Sequence, residues 1–199
     1  MNKGRLEAFS DGVFAIIITI MVLELHAPEG KSFHDLLPVL PKFISYILSF
    51  VYVAIYWNNH HHTFQVVKHV NGRVLWANIL LLFCLSLVPF VTAWMGENHF
   101  SASPVALYGF ILMMAGVSYY ILVRSLIHIH GKDSLLATSI GGDFKGKISI
   151  VIYAAGILLS FLNSFIGFGL YCLVAFMWFV PDQRIEKRIK SENEDEIKI

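Results

Sequence analysis

The sequence is poor in charge, and long stretches of it carry none. Only 15% of the 199 residues are Asp, Glu, Lys or Arg, whereas a soluble domain carries about a quarter. Residues 74–95, 100–123 and 148–181 contain no charged side chain. A helix of about 20 apolar residues crosses the hydrocarbon of a bilayer. The composition therefore predicts an integral membrane protein and excludes an ordinary soluble domain.

Cysteine and catalytic motifs are scarce as well. Cys84 and Cys172 are the only cysteines, and both lie inside apolar stretches without the spacing of a metal site or a redox pair. No nucleophile elbow, HExxH motif or glycine-rich phosphate loop occurs. The net charge of +1 provides no basic field for nucleic acid. We therefore expect neither an enzyme nor a nucleic-acid-binding protein, and we expect no cofactor.

The apolar pattern predicts an all-α membrane protein with six transmembrane helices. Pro89 is expected to kink the third helix, and the 148–181 stretch is too long for one span, so a turn is expected at Asn163 and Ser164. Residues 1–181 then form one transmembrane domain, and residues 182–199 form a charged cytoplasmic tail. The predicted helices cover about 5–25, 36–67, 74–95, 104–128, 148–162 and 165–180.

The distribution of Lys and Arg predicts the orientation of these helices. With six spans, Lys31 and Lys42 lie on one side of the membrane, and the remainder of the 15 Lys and Arg residues lie on the side that holds both termini. Positively charged loops favour the cytoplasm. Both termini are therefore predicted to be cytoplasmic.

The first helix carries ionisable side chains and a regular apolar stripe. Asp11 lies deep enough to need a partner, which another helix supplies as readily as Arg5 does, because ionisable groups in a span rarely face lipid. The helix also places Gly12, Ile16, Ile20 and Leu23 on one face, with Thr19 beside them. Periodicity alone fits lipid contact or bundle packing as well as a pore. Glu24, at the outer end, is either a solvated carboxylate or part of an acidic ring that concentrates cations.

A polar segment ends the second helix at the same predicted depth as Asp11. It reads W-N-N-H-H-H over residues 57–62. Adjacent helical residues point about 100° apart, so the three histidines cannot all ligate one ion, and no metal site is predicted. We expect instead a polar network between the first two helices. Trp76, Asn78, Trp94 and Tyr119 are interpreted as interfacial aromatics and helix–helix hydrogen bonding.

Several of these segments together resemble a known channel family. Residues 5–11 fit an R-x-x-x-F-S-D signature at the start of a first membrane helix, and residues 57–64 read W-x-x-H-H-x-x-F. Residues 73–78 and 87–90 agree with the same pattern. The chain resembles, over about its whole length, the transmembrane protein 175 family, which contains the lysosomal potassium channel and its bacterial relatives.

The resemblance implies an assembly and a pore. Family members of this length carry one six-helix repeat and resemble homotetramers in a cell (inner) membrane, with the first helix of each subunit lining a central pore. The matching positions for a hydrophobic constriction are Ile16, Ile20 and Leu23, the hydroxyl tied to potassium preference matches Thr19, and Glu24 lies at the pore entrance.

The resemblance also implies a hydrogen-bond network that supports the pore helix. The residues concerned are Arg5, Phe9, Ser10, Asp11, Trp57, Asn59, His60 and His61.

These observations predict a leak-type, potassium-permeable cation channel. Its partners are further copies of itself, the lipid bilayer, and potassium and other monovalent cations. No segment resembles the TVGYG filter, and apolar walls cannot replace the water shell of an ion, so we expect modest selectivity. The alternative is a proton-coupled secondary transporter that uses Asp11 and the histidines at 60–62. A membrane enzyme or a metal-handling protein ranks last, because the chain offers no nucleophile or ligand set.

Overall fold

The computed structural model describes residues 2–140 and 143–179. Within these residues every regular element is helical. A 3-10 helix, Phe33–Val39, leads into the second α-helix. The α-helices are α1 Lys3–Leu23, α2 Leu40–Gln65, α3 Gly72–Ser86, α4 Val88–Glu97, α5 Ala102–His130, α6 Leu135–Ile140, α7 Phe144–Ser160 and α8 Ser164–Phe179.

Four helical stretches are long and apolar enough to cross a membrane. They are Lys3–Leu23, Phe33–Gln65, Gly72–Glu97 and Ala102–His130. The third comprises α3 and α4, which are separated only by Leu87. Pro89 lies in the first turn of α4, where its missing N–H costs no helical hydrogen bond. The helix is thus interrupted just before the proline.

The structure differs from the sequence prediction between residues 131 and 147. The prediction places a loop there, whereas α6 occupies Leu135–Ile140 and α7 begins at Phe144. The Asp143 carboxylate explains the earlier start of α7, because it accepts a hydrogen bond from the Gly146 N–H at 3.2 Å and so caps the helix. The predicted tail at 182–199 and the last residue of the predicted sixth helix, 180, lie outside the described residues.

α5 is the central helix, and it packs against α3, α4, α7 and α8. α1 packs instead against α2, α3 and α4. The core between these helices is built mainly from aliphatic side chains with essentially no exposed surface, such as Leu81, Leu85, Leu112 and Leu122. One face of α1 is therefore covered by neighbouring helices, and the remainder of its surface is open.

Candidate pore helix and its polar anchor

The covered face of α1 is a single stripe. Leu6, Ser10, Phe14, Ile17 and Met21 are buried, and they recur at spacings of four, four, three and four residues. This is the period of one face of an α-helix. Four of the five are apolar, and the exception, Ser10, has no exposed surface.

The opposite face carries the residues predicted to line a pore. Ile16 is 59% exposed, Ile20 43% and Leu23 70%. Thr19 and Glu24 are exposed beside them. The Thr19 hydroxyl donates to the Ala15 carbonyl at 2.8 Å, so its lone pairs stay directed away from the helix backbone. Ile16, Thr19, Ile20 and Leu23 thus share one open surface, whereas Glu24 lines a small pocket with Met21 and Lys42.

A buried hydrogen-bond chain joins the covered face of α1 to α2 and α3. Ser10 donates to the Leu6 carbonyl at 2.9 Å and accepts from the Asn78 amide at 2.9 Å. The Asn78 side-chain oxygen lies 2.8 Å from His60 Nε2. Since that oxygen can only accept, the proton lies on His60 Nε2. Ser10, His60 and Asn78 are each at most 2% exposed, so the Ser10 hydroxyl, the His60 Nε2–H and the Asn78 amide are paired with protein groups in a buried place.

Asp11 makes a second connection to α2, at the edge of this chain. The Trp57 indole Nε1–H donates to Asp11 Oδ1 at 3.0 Å. The Trp57 ring stacks on His61 with centroids 5.8 Å apart and an interplanar angle of 16°. His61 in turn bonds Gln65, with 2.9 Å between His61 Nε2 and Gln65 Nε2. The partner of Asp11 is thus an indole from another helix rather than Arg5.

Three of the residues predicted for the network lie elsewhere. Arg5 and Phe9 are exposed on α1, and no hydrogen bond or ion pair of the Arg5 side chain occurs among the described residues. The Asn59 amide donates to the Ile55 carbonyl at 2.9 Å, and Asn59 lines a cavity on another side of α2. These residues do not join α1 to α2 within one subunit.

Sequence reasoning missed two contributors to the anchor. It interpreted Asn78 as a helix–helix contact without assigning it to Ser10 and His60; a lone amide in an uncharged span was the available signal. It did not assign a contact to Lys3, whose Nζ donates to the Phe64 and Val67 carbonyls at 2.5 and 3.0 Å. A lysine there satisfies the free carbonyls at the end of α2 and complements its dipole.

Of the three adjacent histidines, His61 and His62 both contact Gln65, whereas His60 does not. His60 is buried against Phe14 and Phe64, whereas the His62 Nδ1 lies 3.3 Å from Gln65 Oε1. Among residues 2–140 and 143–179, no group of three or more His, Cys, Asp or Glu side chains is arranged to hold a metal ion.

Comparison with known proteins gives a consistent result. The family model described as endosomal/lysosomal potassium channel TMEM175 matches residues 5–89. A protein of Chryseobacterium sp. strain P1-3, described as a potassium channel, is 57% identical over 96% of this chain and 99% of its own length. Another potassium channel, from Chamaesiphon minutus, is 31% identical over 89% of this chain and 93% of its own length.

A solved structure agrees with the fold. The crystal structure of a lysosomal potassium-selective channel TMEM175 homolog from Chamaesiphon minutus superimposes with a TM-score of 0.79 at 28% identity, covering 90% of this chain and 97% of that one. The sequence signature, the family model and a relative matched along nearly its full length point to one conclusion: the chain is a membrane protein that belongs to the TMEM175 family.

Proposed function

We propose that this protein is a potassium-permeable cation channel formed by four copies of the chain, with α1 of each copy lining a central pore. The relatives described as potassium channels support the permeant ion. The observation that carries the proposal is the open stripe of Ile16, Ile20 and Leu23 on a helix whose other face is anchored. Four such stripes facing one axis form a continuous apolar constriction.

An apolar constriction gates by excluding water. A ring of isoleucine side chains offers no hydrogen bond to water or to an ion, so a narrow ring dewets and blocks conduction. Rotation or tilting of α1 widens the ring and lets it fill with water. Because no rigid carbonyl cage is involved, the channel passes a leak-type current with modest selectivity.

Thr19 and Glu24 supply the polar groups of the proposed pore. The Thr19 hydroxyl proton is engaged by Ala15, which leaves oxygen lone pairs available to a dehydrated cation beside the isoleucine ring. The exposed carboxylate of Glu24 follows the end of α1. Four of these carboxylates at the pore mouth raise the local cation concentration.

The proposed topology has six spans. Besides the four long apolar stretches, α7 has 17 residues and α8 has 16, which gives each a length of about 25 Å. That length crosses most of a bilayer's hydrocarbon of about 30 Å. With six spans the positively charged loops and both termini lie in the cytoplasm, and the channel lies in the cell membrane.

The test is a recording from purified protein reconstituted in a planar bilayer, with potassium on one side and sodium on the other. We expect discrete openings with a reversal potential displaced towards that of potassium. Thr19→Ala is expected to move the reversal potential towards zero, whereas Ser86→Ala, an exposed hydroxyl on α3, leaves it unchanged. Slow, saturable, pH-coupled uptake into liposomes without discrete openings would reject the channel in favour of a transporter.

A further inference from the structure

A cavity of about 510 Å³ lies between α2, α5 and α7. Its volume is within the range of about 300–1,000 Å³ that is typical of small-molecule sites. It lies near the C-terminal ends of α2 and α8 and the N-terminal end of α7, since Thr63, Trp178 and Lys145 all line it. No residue of α1 lines it, so the cavity is separate from the open stripe of α1.

The inner walls of this cavity suit an apolar chain. Ile55, Tyr56, Val123, Ile150 and Tyr153 are among the apolar and aromatic side chains that line it.

The hydroxyls among the lining residues already have protein partners. Thr63 Oγ1 lies 2.7 Å from the Tyr119 hydroxyl, and Ser149 accepts from Trp178 Nε1 at 2.9 Å. A polar ligand would have to break these bonds, whereas hydrocarbon fills the space at no such cost.

One end of the cavity is cationic. Lys145 and Lys147 line it at the start of α7, where Lys145 is half-buried and Lys147 is exposed. The Lys145 Nζ lies 5.9 Å from the centroid of the Trp178 ring. Asp143 also lines this end, and its carboxylate caps α7 at Gly146. No ion pair joins either lysine to a carboxylate in the part of the chain that the structure describes.

We propose that this cavity binds an anionic phospholipid, with one acyl chain between α2, α5 and α7 and the phosphate at Lys145 and Lys147. The site combines an apolar slot with ammonium groups at its surface end, and basic pockets between membrane helices recognise anionic lipid headgroups in this way. A soluble anion uses only the lysines and leaves the apolar slot unfilled. The bilayer delivers both parts of the ligand together.

The headgroup arm of the test compares two lipids. Native mass spectrometry of the purified full chain measures binding of phosphatidylglycerol and of phosphatidylcholine with the same acyl chains. We expect phosphatidylglycerol to bind more tightly, and Lys145→Gln and Lys147→Gln each to reduce that preference about fivefold, because one lysine near an anionic lipid contributes roughly that factor. Lys132→Gln, at an exposed lysine outside the cavity, should leave the preference unchanged.

The second part of the test concerns the acyl chain and uses a substitution that reduces the space in the cavity. Gly116 lines the cavity, and a Cβ there would lie 3.6 Å from the Tyr56 hydroxyl, an ordinary contact, so Gly116→Leu is the variant chosen to fill the slot. We expect at least tenfold weaker binding of phosphatidylglycerol. Gly169→Leu is the matched control, because a Cβ there has no neighbour within 4 Å and Gly169 does not line the cavity.

Several results would overturn the assignment. These are equal binding of the two lipids to the wild-type chain, binding of neither, or a preference that survives the Lys145→Gln, Lys147→Gln double variant. If glycerol phosphate competes fully with phosphatidylglycerol and Gly116→Leu has no effect, the site takes a soluble phosphate and not a lipid. None of these readouts depends on ion conduction, so the lipid site and the channel can fail independently.

Discussion

The two halves of α1 are held in different ways. The N-terminal part, 3–11, is tied to α2 and α3 by side-chain hydrogen bonds of Lys3, Ser10 and Asp11. The C-terminal part, 14–23, packs through Phe14, Ile17 and Met21. Among the described residues, no side-chain hydrogen bond joins this second part to another helix. One half is fixed by directional bonds, and the other is held by apolar packing alone.

This difference matters because the solvent is lipid. Burying an apolar side chain gains little when the alternative is hydrocarbon, whereas an unpaired amide or imidazole in hydrocarbon is costly. The polar anchor therefore sets the rotation of α1 about its axis. The apolar half can tilt without breaking a hydrogen bond, which suits a helix that must widen a constriction.

The largest effect is expected from breaking the buried anchor. Asn78→Leu keeps the volume but leaves the His60 Nε2–H without an acceptor and Ser10 without its donor, at a cost of roughly 3 kcal/mol of unfolding free energy. Equilibrium unfolding of the wild-type and variant proteins in detergent measures this loss of unfolding free energy. Thr92→Val is the matched control: Ser49 and Tyr108 remain bonded to each other at 2.9 Å, so that loss should be below about 1.5 kcal/mol.

A rescue variant separates the network from a general packing defect. Replacing all three partners together, as Ser10→Ala, His60→Phe and Asn78→Leu, removes every stranded polar group. Stability should then recover most of the loss. A triple variant no more stable than Asn78→Leu alone would contradict the interpretation of these residues as a polar anchor.

The second largest effect concerns the open stripe. Ile16→Asn introduces a hydrogen-bonding group at the proposed constriction, and the single-channel conductance should rise about tenfold, equivalent to ~1.4 kcal/mol off the barrier to permeation. Val151→Asn, on the 63% exposed Val151 of α7, controls for a polar substitution on an open surface. Unchanged conductance in Ile16→Asn would remove the stripe from the pore.

A smaller effect is expected from the partly exposed bond between Trp57 and Asp11. Trp57→Phe removes the indole donor, and a double-mutant cycle with Asp11→Ala, which removes the acceptor, should give a coupling free energy of about 1 kcal/mol. Hydrogen exchange should increase in residues 3–11 and stay unchanged in 14–23, because only the first half uses this bond. Trp94→Phe is the control; equal increases along all of α1 would mean that the halves do not differ.

The smallest effect is expected from Lys3. Lys3→Gln weakens the contact with the Phe64 and Val67 carbonyls and should cost roughly 0.5 kcal/mol, because the ammonium lies near the surface and the charge–dipole part is screened by salt. Unfolding at low and high salt measures the difference. A loss that does not shrink at high salt would argue for packing of the lysine stem instead.

Membrane location could be predicted from the sequence because it depends on local composition. Uncharged runs such as 74–95 and 100–123 are long enough to cross a bilayer as helices, which satisfy every backbone hydrogen-bonding group within the run. The signature at 5–11, together with the segment at 57–64, likewise identified the family without coordinates. The start of α7 was harder to predict from the sequence, because it depends on a single hydrogen bond in which the Asp143 carboxylate caps the helix.

Only part of the candidate site could be predicted from the sequence. Helical geometry is enough to place Ile16, Ile20 and Leu23 on one face. The sequence alone does not predict whether that face packs against other helices, because both faces of α1 are apolar and either could contact lipid.

Tertiary structure decided which side of α1 is anchored and by what. Asn78 and Ser10 are 68 residues apart in the chain, and they meet only because α1 and α3 pack side by side. In contrast, the sequence by itself determined that the chain is helical, apolar and membrane-embedded. The physical reason is one of range: crossing a bilayer is a property of some 20 consecutive residues, whereas a hydrogen bond between helices is directional and requires the fold that brings its two ends within 3 Å.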